Sequence, residues 1–353
     1  MSMIATYATN IKCPIQSLYQ LGDSLSDTGN LVRILPVGPT LPSARPPYGE
    51  TFPGRPTGRW SDGKLIIDFM AIAFGLPLLN PNLDRNASFR NGVNFAVAGA
   101  TALNSSFFAS RGIIVPPYVG SLCLQLASFR TYLASICSTP QECADNLERA
   151  LVLVGEIGGN DINYALQQGK SLDEIQAYVP FINQAISHAT REIIRAGASR
   201  VVVPGNFPIG CFPFTLSAFA SNDSTAYDEL GCLKSLNNLV LYQNNNLQVA
   251  LNALRREFPD IAIIYADYYN VVRSIIRLAP VFGFDRTTLL KPCYRISQFI
   301  RQSPGFGGDP SVPVCPNPHR YIHWDGLHLT QEAYGRISQI VVDDIIAGIK
   351  CLP

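Results

Sequence analysis

Residues 171–203 read SLDEIQAYVPFINQAISHATREIIRAGASRVVV, and this stretch decides the class of fold. Ile175, Val179, Ile182, Ile186 and the pair Ile193-Ile194 recur at the spacing of one helix face, which predicts a helix over 171–196. Gly197 supplies the stop, and Arg200-Val-Val-Val203 follows as a short buried strand. This is a complete helix-to-strand unit of the kind that builds α/β folds.

The same alternation runs outward in both directions. Ser17–Leu21, Val93–Val97 and Ala150–Val154 read as strands ending in small or polar residues: Gly22-Asp23-Ser24, Gly99, and Gly158-Gly159-Asn160-Asp161. Asp27-Thr28-Gly29-Asn30 supplies capping and turn residues, so the first strand is expected to lead through a loop into a helix start. Toward the C-terminus a helix over 236–258, stopped by Pro259, precedes a strand over 261–265, and a helix over 330–350 closes the chain. The expectation is an N-terminal extension over 1–16 and a single α/β domain over 17–353. Its mostly parallel sheet has about five strands, with helices on both faces. Reactive groups in such sheets gather beyond the carboxyl ends of the strands, where Ser24, Gly99 and Asn160 all fall. Two irregular stretches, the proline-rich 35–62 and 286–318, are expected to shape a ligand pocket.

Composition narrows the partners. With 353 residues and 47% hydrophobic side chains the chain can bury a large core, which excludes disorder and collagen. Lys plus Arg (27) nearly balance Asp plus Glu (26), and the positive residues are scattered, so neither nucleic acid nor an anionic membrane is expected as a partner. No apolar run reaches the eighteen or so residues of a membrane span. The opening Met-Ser-Met-Ile-Ala-Thr-Tyr lacks a basic start and a long apolar stretch, so a secretory signal is expected to be missing from this chain. The secretory route is still indicated by glycosylation acceptors at Asn86, Asn104 and Asn222 and by nine cysteines without a Cys-x-x-Cys pair. Cys137 with Cys143, Cys211 with Cys232 and Cys293 with Cys315 are near enough to pair. Cys13 can reach Cys351, and Cys123 is left over.

Ser24, taken alone, reads equally well as a nucleophile or as a helix-capping serine. A serine hydroxyl needs a base to be nucleophilic at neutral pH, and His323-Trp-Asp-Gly-Leu-His328 offers one: Asp325 and His328, three apart, can meet so that the carboxylate orients the imidazole. A zinc reading would take His319, His323 and His328 as ligands, but the spacing of a zinc motif is absent and Asp325 is better explained as an orienter. His319 and His323 are read as loop residues and His188 as structural. Gly99 can bring a backbone N–H to a developing oxyanion and Asn160 its side-chain amide, although each alone reads as a turn residue. Their succession in the order Ser, Gly, Asn, Asp-x-x-His favours acyl chemistry.

On these motifs the sequence resembles the plant GDSL-type esterase/lipases of the SGNH hydrolase superfamily. The likeness runs from Tyr19–Leu31 through Gly92–Ala96, Gly155–Asp161 and Val203–Cys211 to Trp324–Tyr334. It implies a flavodoxin-like three-layer α/β/α sandwich and no cofactor, and with the zinc reading set aside no metal is expected. It also implies Ser24 as nucleophile, His328 as base, Asp325 as its partner, and an oxyanion hole from the Ser24 and Gly99 N–H groups and the Asn160 side chain. Within the family the sequence is most similar to the acetylajmalan esterase group, through Asn94–Leu103, Phe129–Pro140 and Tyr265–Asn270. It departs from its relatives at Lys291-Pro-Cys293-Tyr294-Arg295, where adjacent cysteines and a Gly-rich stretch are usual. The resemblance implies hydrolysis of a small-molecule ester, an acetyl ester of a bulky apolar plant metabolite. An acyltransferase, a lipid or polysaccharide esterase and a non-catalytic binding protein are the alternatives. Phe107, Phe108, Tyr118, Phe212 and Phe214 are expected near the pocket.

Overall fold

The computed structural model describes residues 15–294 and 313–349. The expected Cys13–Cys351 pair and Arg295 lie outside them. Five strands, β1 (Ser17–Leu21), β2 (Gly92–Asn94), β3 (Ala150–Val154), β4 (Arg200–Pro204) and β5 (Ala262–Ala266), form one sheet in the order β2-β1-β3-β4-β5. Every pairing is parallel, with Leu18 opposite Leu151 and Val201 opposite Ile263. Eleven helices are described: α1 (Ile66–Ala73), α2 (Ser105–Ala109), α3 (Leu122–Ile136), α4 (Pro140–Glu148), α5 (Gly159–Gln167), α6 (Leu172–Gln176), α7 (Val179–Arg195), α8 (Pro213–Ala218), α9 (Lys234–Glu257), α10 (Tyr268–Arg277) and α11 (Gln331–Gly348).

Burial on both faces explains the uninterrupted apolar strands. In β3, Ala150, Val152 and Val154 pack with α3, α7 and α9, while Leu151 and Leu153 pack with α1, α10 and α11 on the other face. The alternation of side chains along a strand thus divides one run of five apolar residues between two cores. Each such side chain contributes about 1.5–3 kcal/mol when fully buried. The result is the expected three-layer α/β/α arrangement of the SGNH hydrolase fold.

The boundaries differ from expectation for local reasons. The helix over 171–196 is two helices, because α6 starts with its own capping box between Ser171 and Glu174, and Pro180, which lacks an N–H, opens the first turn of α7. β2 is shorter than 93–97 because the Asn30 side-chain amide takes the carbonyls of Asn94 and Ala96 at 2.8 Å each. No α-helix follows Ser24. The carboxylate of Asp27 accepts the N–H groups of Gly29, Asn30 and Leu31, as a cap would. Only the short 3-10 turn Leu31–Arg33 forms before the prolines at 36, 39 and 42. The pairs Cys137–Cys143, Cys211–Cys232 and Cys293–Cys315 are bonded, and Cys123 is free and exposed. No helix among the described residues is long and apolar enough to cross a membrane.

Candidate active site

Ser24 projects from the turn that follows β1, at the carboxyl edge of the sheet. Several bonds hold that turn. The Asp23 N–H reaches the carbonyl of Glu156 at 2.9 Å, its carboxylate takes the Leu25 N–H, and Gln125 bonds both the N–H and the carbonyl of Gly22 at 2.7 Å. Gly22 has to be small, since a Cβ there would stand 2.3 Å from the Ser26 hydroxyl oxygen.

His328 arrives from the other end of the chain, on a hairpin between β5 and α11. Its Nε2 lies 2.9 Å from Ser24 Oγ, although the two residues are 304 positions apart. Its Nδ1 lies 2.9 and 2.8 Å from the two oxygens of Asp325, so the tautomer protonated at Nδ1 leaves a lone pair on Nε2 facing the serine hydroxyl. Asp325 Oδ1 also accepts the N–H groups of Leu327 and His328 at 2.8 Å. Burial raises the proton affinity of this carboxyl. The charge and hydrogen bonds of His328, with the donors of Leu327 and Tyr48, outweigh burial and hold it below the usual carboxylate range. Such a chain can take a proton from a hydroxyl and return it to a leaving group.

Hydrogen-bond donors surround the serine. Among the described residues the backbone N–H groups of Ser24 and Gly99 have no partner. Gly99 adopts φ +84°, and a Cβ there would meet Val119 at 2.7 Å and the Tyr164 hydroxyl at 2.9 Å. Its segment is pinned by two carboxylates: Asp27 takes the N–H of Ala98, and Asp161 those of Ala102 and Leu103. Asn160, in the first turn of α5, donates from Nδ2 to the Ala100 carbonyl at 3.0 Å and to Asp23 at 3.3 Å, which brings its amide beside the serine turn. Because β2, β1 and β3 are adjacent, the Gly99, Ser24 and Asn160 segments leave the sheet side by side.

Residues 18–341 match the GDSL-like Lipase/Acylhydrolase family. The chain belongs to that family. Acetylajmalan esterase of Rauvolfia serpentina is 55% identical to it over 350 residues, covering 99% of this chain and 90% of the relative. Acetylajmalan esterase 2 of the same plant is 53% identical over 97% of this chain and 93% of its own length. A GDSL esterase/lipase of Arabidopsis thaliana is 44% identical over 92% of this chain and 81% of its own. This GDSL hydrolase is a carboxylic ester hydrolase.

The wall of the GDSL hydrolase's site comes largely from the proline-rich loop. Tyr48 donates its hydroxyl to Asp325 Oδ2 at 2.7 Å, and the Trp60 indole covers the ring of His328. Neither carries a sequence signal, because a loop without periodicity hides which side chains turn inward. Of the aromatics expected at the pocket, Tyr118 packs against the cluster that includes Tyr48 and Trp60, Phe212 rests against His323, and the Phe214 N–H donates to the Gly326 carbonyl. Phe107 and Phe108 belong elsewhere: Phe107 meets Tyr178 edge-on and Phe181 at a tilt beside α7, and Phe108 lies in the main core.

The histidines do not act alike. His319 and His188 are exposed, whereas His323, expected to line the loop, is fully buried with neither ring nitrogen partnered. Burial drives its pKa down to about 3, so it stays neutral despite the nearby charge of Asp325. Among the described residues no group of His, Cys, Asp and Glu is arranged to hold a metal ion.

Proposed function

We propose that this GDSL hydrolase removes an acetyl group from an esterified plant specialised metabolite, an acetylated indole alkaloid being the leading case. The hydrogen-bonded series Ser24–His328–Asp325 carries the mechanism, and the acetylajmalan esterases, more than half identical over nearly the whole chain, carry the substrate class.

Ser24 Oγ attacks the ester carbonyl as His328 Nε2 takes its proton. The tetrahedral oxyanion is held by the N–H groups of Ser24 and Gly99 and by the Asn160 amide. The proton passes from His328 to the departing alcohol, which leaves an acetyl-serine. Water, deprotonated by the same imidazole, then releases acetate. Asp325 remains ionised throughout, orienting the ring and stabilising its cationic form. The proposed steps use only the chain's own groups and water.

The same reading places the protein in the secretory pathway, extracellular or vacuolar. The three disulfides suit an oxidising compartment, and the acceptor asparagines Asn86, Asn104 and Asn222 are all exposed.

The test is hydrolysis by wild-type and Ser24→Ala protein of a chromogenic acetate, longer acyl esters, acetylated xylan and an acetylated indole alkaloid, with products read by mass spectrometry. Ser24-dependent release of acetate from the alkaloid is expected to dominate. Turnover confined to the other esters would sink the substrate assignment, and transfer to an added alcohol in preference to water would make the protein an acyltransferase.

A further inference from the structure

We infer that Tyr48 is a positioning residue for the hydrolysis: its hydroxyl holds the second oxygen of Asp325 and thereby fixes the carboxylate that orients His328. The inference rests on the serine-histidine-aspartate reading above.

The two oxygens of Asp325 are served unequally. Oδ1 is anchored by the N–H groups of Leu327 and His328, both from its own hairpin. Oδ2 has His328 Nδ1 and, among the described residues, one donor from outside the hairpin, the Tyr48 hydroxyl, 277 positions away. Asp325 is fully buried, so no water would take over that bond without a rearrangement. The phenol is itself fixed. Tyr48 is 1% exposed, and the rings of Trp60, Tyr294 and Trp324 meet it edge-on with centroids 5.7, 6.0 and 5.8 Å away. A side chain boxed on three sides aims its hydroxyl in one direction, and that direction is Oδ2.

This bond also sets how strongly Asp325 holds the imidazolium. A donor on Oδ2 withdraws part of the carboxylate's charge, so less of it is available to the protonated ring. The other titratable groups near the pair are the same in wild type and variant, so the difference between their profiles reports the Tyr48 bond. His323, on the same hairpin, is neutral, and the buried Tyr334 phenol of α11 is pushed well up. Asp23 and Glu156, at the ends of β1 and β3, are both buried and raised. Ser24 faces Nε2 as a neutral hydroxyl, and Trp60 contributes only its ring.

The experiment is the pH profile of kcat/KM on a chromogenic acetate for wild type, Tyr48→Phe, and protein carrying 3-fluorotyrosine at position 48. Tyr48→Phe is also made in the Asp325→Asn background, with Ser24→Ala and His328→Ala in parallel and melting curves for each. Tyr48→Phe is expected to lower kcat about tenfold with KM within about twofold, and to move the acid limb up by roughly half a pH unit. The fluorinated phenol, a stronger donor of nearly the same size, is expected to move that limb down, and it gives the answer alone if Tyr48→Phe does not fold. In the Asp325→Asn background the Tyr48→Phe loss should largely vanish. Acid limbs that stay in place in both proteins, or an undiminished loss in the Asp325→Asn background, overturn the inference. Wild-type turnover by Ser24→Ala or His328→Ala would instead overturn the catalytic reading beneath it.

Discussion

The indole of Trp60 lies over the imidazole of His328, with ring centroids 4.9 Å apart and planes tilted by 30°. Trp60 is nearly buried, and with it in place His328 is only 3% exposed. The indole shields the ring from water and offers a π face to its protonated form. Trp60→Ala is therefore expected to lower kcat about tenfold, whereas Trp60→Phe, which restores a ring, recovers most of it. Steady-state kinetics beside melting curves check this, and a Trp60→Ala enzyme with unaltered kcat would refute it.

The proposed oxyanion donors are expected to fail in different ways. Asn160→Ala removes one amide and should cost on the order of 100-fold in kcat with little loss of folding. Gly99→Ala meets both a left-handed backbone and the close approach of Val119 and Tyr164, so it should lower the melting temperature as well as kcat. Calorimetry and kinetics on both variants separate the two effects. An Asn160→Ala protein with full turnover would remove that side chain from the hole.

His323 makes stability depend on pH in a definite sense. Its ring ordinarily titrates at 6.5 and, buried, only at about 3. Between those values the unfolded chain takes up a proton that the folded one refuses. The stability it allows is thus complete above pH 6.5 and is lost, at about 1.4 kcal/mol per pH unit, as pH falls toward 3. Asp161 acts oppositely. Burial raises its carboxyl to about 7, so its contribution is full below 3.8 and lost as pH rises to 7. The decisive quantity is the difference in melting temperature between wild type and His323→Leu. The variant should gain on the acid side, with turnover changed only a few-fold, and a difference independent of pH would contradict the assignment.

Two disulfides should separate stability from activity. Cys293–Cys315 braces the hairpin of Asp325, because the Cys293 N–H bonds the His323 carbonyl at 2.9 Å and the Tyr294 N–H that of Trp324 at 2.7 Å. Cys137–Cys143 closes a small loop between α3 and α4, neither of which carries a residue of the Ser24–His328–Asp325 series. Replacing Cys293 and Cys315 by Ala should cost roughly 3 kcal/mol and most of kcat, whereas replacing Cys137 and Cys143 should cost roughly 2 kcal/mol and leave kcat nearly intact. Equal kinetic effects would show that the first bridge plays no special part.

The strands were legible because burial on both faces forces short apolar runs, and β1 and β3 have the limits their sequences suggest. The helix over 171–196 misled because its apolar spacing continues across the break before Pro180. Ser24, Gly99, Asn160, Asp325 and His328 could be read because each ends a strand or stands beside a helix start. Tyr48, Trp60 and the burial of His323 could not, since they depend on how loops fold back, which leaves no period in the sequence. Asp27 and Asp161 were visible as motif residues, but their bonds to the Gly99 segment span dozens of positions and follow only from the assembled sheet.

The distance in sequence between Ser24 and His328 also has a meaning in time. At about 5–20 residues per second, synthesis of the histidine trails that of the serine by roughly 15–60 s. Throughout that interval the growing chain carries Ser24 without His328. The Ser24–His328 hydrogen bond can therefore form only after the last hairpin has been made and has docked.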